Sequence, residues 1–282
     1  MFRRFKSRAS SKAGSLIQAL LVLAVFILTI EAVAAELPGL AAVNDLEVNG
    51  GFVLELDGRN LEDAEIYLSE REVAYLVVAS ELETPLLISP RGKSVQSVNV
   101  DSLTRKDGGA DLAAGSVLEY LGEYETRGGE MIFEIDGKVA KLEPKPPLLG
   151  HQTFEELERH DPKYAYNVRT LSEKKTASAP APPRAGENVK IRVYFGSWSE
   201  ICEMLVPKVK QLEDDWTAHG IRFEYYGLPK PLIDDQHAVD MEIRGVPTAV
   251  VFVDGEEVGR ATGLELKTPE ESLGRLLAAA SR

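Results

Sequence analysis

The stretch Ser197-Trp198-Ser199-Glu200-Ile201-Cys202-Glu203-Met204-Leu205-Val206-Pro207 decides how this chain is read. It follows Val189-Lys190-Ile191-Arg192-Val193-Tyr194-Phe195, a run rich in β-branched and aromatic residues that reads as a strand. A strand therefore feeds a tight turn, an exposed tryptophan and the start of a helix. That helix carries Cys202, the only cysteine among 282 residues. Cys202 shares a helical stripe with Leu205, Val209, Leu212 and Trp216, the spacing of a core-facing side. Ser197 and Glu200 have the spacing of a capping box at the helix start.

Working outward, residues 188–282 alternate between strand and helix. The strand Val189–Phe195 leads to a helix over Glu200–Ala218, then a strand over Ile221–Tyr226 and a partly helical stretch over Ile233–Met241. Two strands, Thr248–Val253 and Glu257–Ala261, flank Asp254-Gly255, a pair suited to a tight hairpin turn. Thr268-Pro269-Glu270-Glu271 opens the last helix with a capping box and a proline at its first position. Strand–helix–strand requires a parallel right-handed crossover, whereas the Asp-Gly pair makes an antiparallel one. The order implies an α/β domain, a small mixed sheet with helices on both faces.

At this point the residues resemble the thioredoxin-like proteins. Trp198, Cys202 and Pro207 fall at the spacing of that family's Trp-Cys-x-x-Cys and its later helix-kinking proline. Ile243-Arg244-Gly245-Val246-Pro247-Thr248 looks like its cis-proline loop, and Asp254-Gly255-Glu256 with Gly263 like its closing hairpin. The resemblance implies a thioredoxin-like fold for residues 188–282 and a redox ancestry, with anchored or exported proteins of the bacterial envelope as the nearest type. It also implies that the first, nucleophilic cysteine of the pair falls on Ser199, giving Ser-x-x-Cys, and that the acid often buried beneath the pair falls on Val193.

Those two substitutions bear on chemistry. Disulfide exchange needs one thiolate to attack and a second thiol to resolve the mixed disulfide. A serine hydroxyl can do neither, so a two-cysteine cycle within one chain is excluded. Cys202 then has two readings: an inert, core-facing thiol whose ionisation Glu200 and Glu203 oppose, or a monothiol acting with a partner's cysteine. Val246-Pro247 also has two. In the family the backbone before this proline pairs with an extended substrate chain, but the bond can equally serve the fold alone. Trp198 favours a peptide-binding surface, since an exposed tryptophan is a common anchor. Ser199 has no base for hydrolase chemistry, because His219 and His237 lie on polar, solvated-looking stretches and no nucleophile elbow is present.

Residues 44–150 read as a small β-rich domain. Phe52, Leu54 and Leu56 alternate with polar or exposed positions, Val73–Ala79 is a continuous apolar run, and Ser94–Val100, Val117–Tyr124 and Glu130–Ile135 add strands. Asp136-Gly137 marks a hairpin into Lys138–Leu142. Such short strands with glycine turns suggest a meander or small barrel. It holds no catalytic constellation and is read as a binding or spacer module. Residues 151–171 hold two short helices, one behind a Thr153/Glu156 capping box and one behind Asp161-Pro162, and are read as a solvated surface. His151 and His160 lie among acids there without metal-ligand spacing, so no metal is assigned. Residues 172–187, with Ala177 to Pro183, read as an Ala/Pro-rich spacer.

Residues 1–36 begin with five basic and no acidic side chains up to Lys12, then run apolar from Leu16 to Ile30, with small residues at Ala32 to Ala35. That is the pattern of a signal peptide or a membrane anchor, which places the rest of the chain in the periplasm or beyond. A net charge of −13 argues against a nucleic-acid partner, since phosphate binding needs a basic stripe. No cofactor motif is present. The sequence thus leaves three functions open. It is a degenerate thioredoxin-like binder of a protein or peptide, a monothiol oxidoreductase using Cys202, or a β-domain binding module on a thioredoxin-like scaffold.

Overall fold

The computed structural model of the protein describes residues 42–186 and 188–280. The N-terminal segment read as a signal or anchor lies outside the described residues. Among those described, no helix is long and apolar enough to cross a membrane.

The β-rich region contains β1 (Val43–Val48), β2 (Phe52–Leu56), β3 (Arg59–Asn60), β4 (Glu65–Ser69), β5 (Ala74–Val78), β6 (Leu86–Ser89) and β7 (Ser94–Val98). It continues with β8 (Leu103–Lys106), β9 (Gly109–Leu112), β10 (Val117–Glu123), β11 (Glu125–Arg127), β12 (Glu130–Ile135) and β13 (Lys138–Pro144). They form two antiparallel sheets, ordered β10-β7-β6-β5-β4-β1-β9-β8 and β11-β12-β13-β2-β3. Their inner faces share one core, in which Leu54, Phe133 and Leu142 of the smaller sheet meet Ile66, Val77 and Ile88 of the larger. The alternating pattern of β2 and β12 follows from having one face in that core. Asp136 and Gly137 both take positive φ, 51° and 73°, so the β12–β13 hairpin forms as its Asp-Gly pair requires.

The C-terminal sheet is ordered β14-β16-β15-β17-β18, from β14 (Gly150–Gln152), β15 (Val189–Phe195), β16 (Arg222–Gly227), β17 (Thr248–Val253) and β18 (Glu256–Thr262). β15 and β16 are parallel and every other pair is antiparallel, so the sheet is mixed. Five α-helices accompany it: α1 (Phe154–His160), α2 (Pro162–Lys174), α3 (Glu200–Trp216), α4 (Gln236–Asp240) and α5 (Pro269–Ala279). They cover the two faces unequally. α1, α2, α3 and α5 bury Val189, Ile191, Val193 and Phe195 on one side. The other side holds Tyr194 and Val250 beneath Leu228, Ile243 and Ala238 of α4.

Residues 151–171 are where the structure corrects the sequence reading. They are not a solvated surface. His151 of β14 pairs with Tyr226 of β16, and Phe154, Leu157 and Tyr164 are buried in the same core as α3. Three apolar residues scattered among acids give too weak a period to announce this. The capping signals are correct: Thr153 and Glu156 exchange both bonds of a capping box, and Asp161 Oδ1 accepts from Lys163 N at 2.9 Å behind Pro162. At α5, by contrast, Thr268 makes no capping bond to the backbone and its hydroxyl donates to Glu271 at 3.3 Å. The Ala/Pro stretch after α2 lies along α3 instead of spanning open space. Asp215 accepts from Ala179 N at 2.7 Å, and the Trp216 indole donates to the Pro180 carbonyl at 2.9 Å.

Candidate functional site

The site is built where β15 ends and α3 begins. Gly196 allows the turn to be tight, since a Cβ there would meet the Trp198 indole at 2.5 Å. That indole lies flat over the turn, donates from Nε1 to the Leu228 carbonyl at 2.9 Å, and carries the Lys230 ammonium 5.2 Å from its ring centroid. Trp198 is therefore held in place yet remains 36% exposed. Ser197 is buried and accepts from Leu148 N at 3.0 Å, so it does not cap the helix. The N-cap is Ser199, which makes no side-chain capping bond. This corrects the Ser197/Glu200 box; the spacing was right, but the chain enters the helix two residues later.

Cys202 is fully buried on α3 with Leu205, Val209, Leu212 and Trp216, the stripe expected from its spacing. Its Sγ accepts from Gly196 N at 3.5 Å. Burial pushes the thiol up to about 11; the Gly196 amide and Ser199 hydroxyl pull the other way and the Glu203 carboxylate adds to the rise. Glu203 is itself half-buried, and burial above all raises its carboxyl, with Asp161 adding and Lys163 opposing. Beneath the pair, Val193 is buried and offers no proton to exchange. Pro207 is buried within α3, and the Val246–Pro247 bond is cis. Beside that loop an open groove of ≈ 730 Å³ is lined by Ile243, Arg244, Gly245, Val246, Arg260 and Gly263 among others.

The histidines sort differently from the sequence reading. His219 is exposed, but His237 is half-buried, with Nε2 3.0 Å from the Tyr194 hydroxyl and 3.1 Å from Arg192 Nη1. The Tyr226 ring lies tilted by 52° against it, centroids 4.8 Å apart, and Arg192 holds Glu224 through Nε and Nη2, both at 2.8 Å. This cluster projects from the α4 side of the sheet, whereas Cys202 lies in the core on the other, so Ser199 gains no base from it. Only the alternation Arg192, Val193, Tyr194 in β15 could have shown that two polar-tipped residues share the thinner face. Among the described residues no group of three or more His, Cys, Asp or Glu is placed to hold a metal ion.

No protein-family model matches the chain. A thioredoxin of Chlamydia caviae is 34% identical over 86 residues, which is 30% of this chain and 74% of that protein. A thioredoxin of Staphylococcus haemolyticus is 28% identical over 91 residues, 32% of this chain and 79% of the relative. Among solved structures, a mutant thioredoxin from Halobacterium salinarum aligns over 38% of this chain and 97% of its own, at 25% identity and a TM-score of 0.27. The chain belongs to the thioredoxin family, with a β-rich region preceding the thioredoxin-like fold.

Proposed function

We propose that this is an extracytoplasmic member of the thioredoxin family whose active-site pair has lost its nucleophile, and which works by holding a protein or peptide partner. One observation carries the reading: Ser199 occupies the attacking position, and the remaining thiol is buried and pushed up to about 11. At pH 7 such a thiol is overwhelmingly protonated. Thiol–disulfide exchange runs through the thiolate, so the resting protein turns over no disulfide. Partner binding is supported by the apolar groups left exposed at the helix start, Trp198 before α3 and Ile201 and Met204 in it, with Leu264 from the 3₁₀ turn Gly263–Lys267 packed on that helix. The groove beside Gly245 and Val246, next to the cis Val246–Pro247 bond, gives room for an extended peptide to lie along this loop. Export is supported by the basic and then apolar order of residues 1–36.

The test has two arms. Native protein treated with a maleimide near neutral pH is expected to resist labelling at Cys202 until denatured; labelling within minutes would favour the monothiol oxidoreductase. A cysteine-blocked extended peptide, the alkylated insulin B chain, is expected to bind with an affinity that Trp198→Ala lowers by about tenfold, the scale of a tryptophan anchor. Binding indifferent to Trp198 would remove this surface from the account.

A further inference from the structure

Cys202 is closed off by α2, and α2 is in turn tied to the β-rich region. On its inner side, three residues of α2 meet the first turn of α3. Tyr164 is fully buried in the core that holds Cys202. Asn167 Nδ2 donates to the Glu203 carbonyl at 3.0 Å, and Lys163 Nζ lies 3.7 Å from the Glu203 carboxylate. On its outer side, the same Lys163 pairs with Glu47 of β1 at 3.2 Å, and Arg169 pairs with Asp107 in the turn between β8 and β9. The Tyr166 ring lies against Gly108 of that turn, where a Cβ would meet it at 2.5 Å. Lys163 therefore bridges a carboxylate of the β-rich region to the one next to the cysteine.

Two features mark this contact as one that opens. The two ion pairs across the seam lie at its edge, with carboxylates 66% and 67% exposed. Ion pairs of that kind contribute little and are screened by salt. The Tyr164 hydroxyl is buried with no hydrogen-bond partner. An orphaned hydroxyl costs free energy only while water is kept from it, so opening relieves that cost.

We propose that α2 is a strap sealing Cys202, and that the β-rich region sets how firmly it is closed through Glu47 and Asp107. Loss of those two contacts loosens α2, frees Lys163 from one of its two carboxylates, and lets the first turn of α3 reach solvent without unfolding the domain. The idea rests on the reading that the resting thiol is shut, but it adds where the latch is.

The experiment compares rates of Cys202 labelling by N-ethylmaleimide in the full chain, with urea unfolding measured on the same samples. The double variant Glu47→Gln/Asp107→Asn is expected to label at least about tenfold faster, beyond what any change in global unfolding accounts for. Tyr164→Phe, which removes the orphaned hydroxyl and leaves the ring, is expected to label severalfold slower. One molar salt is expected to speed the wild type and leave the double variant unchanged. Equal rates in wild type and double variant, or rates that merely follow the global unfolding constant, overturn the strap. Fast labelling of the wild type overturns the closed-thiol reading instead, so the two failures are distinguishable.

Discussion

At the scale of the residue, the proposed loss of the nucleophile turns on position 199. A thiol there would sit at the N-terminus of α3, where free amides and the helix dipole stabilise a thiolate. Ser199→Cys is therefore expected to form an internal disulfide with Cys202 under mild oxidation, seen as a mass loss of about two hydrogens. It is also expected to reduce insulin measurably above the wild-type background. A thiol that forms no such bond would show that the helix start has been misaligned with the family. The thiol's own pH dependence follows from its burial. Labelling runs through the opened state, so its rate is expected to rise about tenfold per pH unit through neutrality and to level off near the ordinary thiol value of 9.0, not near 11. Because folding raises this pKa above the ordinary value of 9.0, the protonated thiol's contribution is complete below about pH 9 and is lost as pH climbs to about 11. Urea titrations across that window are expected to lose about 2–3 kcal/mol more in the wild type than in Cys202→Ala, since buried tyrosines such as Tyr164 and Tyr225 weaken both proteins as pH rises.

At the scale of the element, the informative piece is the shortest strand of the C-terminal sheet. Gly227 of β16 admits the chain just before β14, because a Cβ there would meet the Leu148 carbonyl oxygen at 2.2 Å. Gly227→Ala is expected to push this edge outward, costing about 1–3 kcal/mol in urea unfolding. Faster amide exchange confined to Gly150–Gln152 would accompany the change, and protection equal to wild type would refute the close approach. The strands that sequence reading located, such as β2, β5, β12 and β13, carry alternation or an apolar run over five or more residues. Those it missed are mostly short or irregularly buried. β14 is Gly-His-Gln, and β1 has a burial period of three across a bulge. Such strands exist because a neighbour pairs with them, which no local pattern records. The candidate site divides the same way. Trp198, Cys202 and the Val246–Pro247 bond were legible as motif and spacing. The bond Ser197 accepts from Leu148 N, and the Tyr194 and Arg192 contacts of His237, join residues 43 or more positions apart.

At the scale of the whole molecule, the C-terminal domain is larger than the stretch that resembles its family. Residues 188–282 alone lack β14 and the side chains of Phe154, Leu157 and Tyr164, all three fully or almost fully buried. A fragment starting at residue 146 is expected to unfold cooperatively in urea, whereas one starting at 188 is expected to show a broad transition or none. Equal midpoints for the two would mean that α1 and α2 are dispensable. The resemblance ends near Asn188 because the motifs cluster around the thiol and the proline loop. The packing of the earlier helices is distributed over single apolar residues with no motif to carry it.

The placement of β14 also has a consequence in time. Its partner β16 is followed out of the ribosome only after Tyr226, some 75 residues beyond His151. At about 5–20 residues per second, β14 waits roughly 4–15 seconds for the strand that will pair with it. During that interval the β-rich region is already complete in sequence and the remainder is not. The sheet edge at β14 is therefore closed late, after α1, α2 and α3 have all been made.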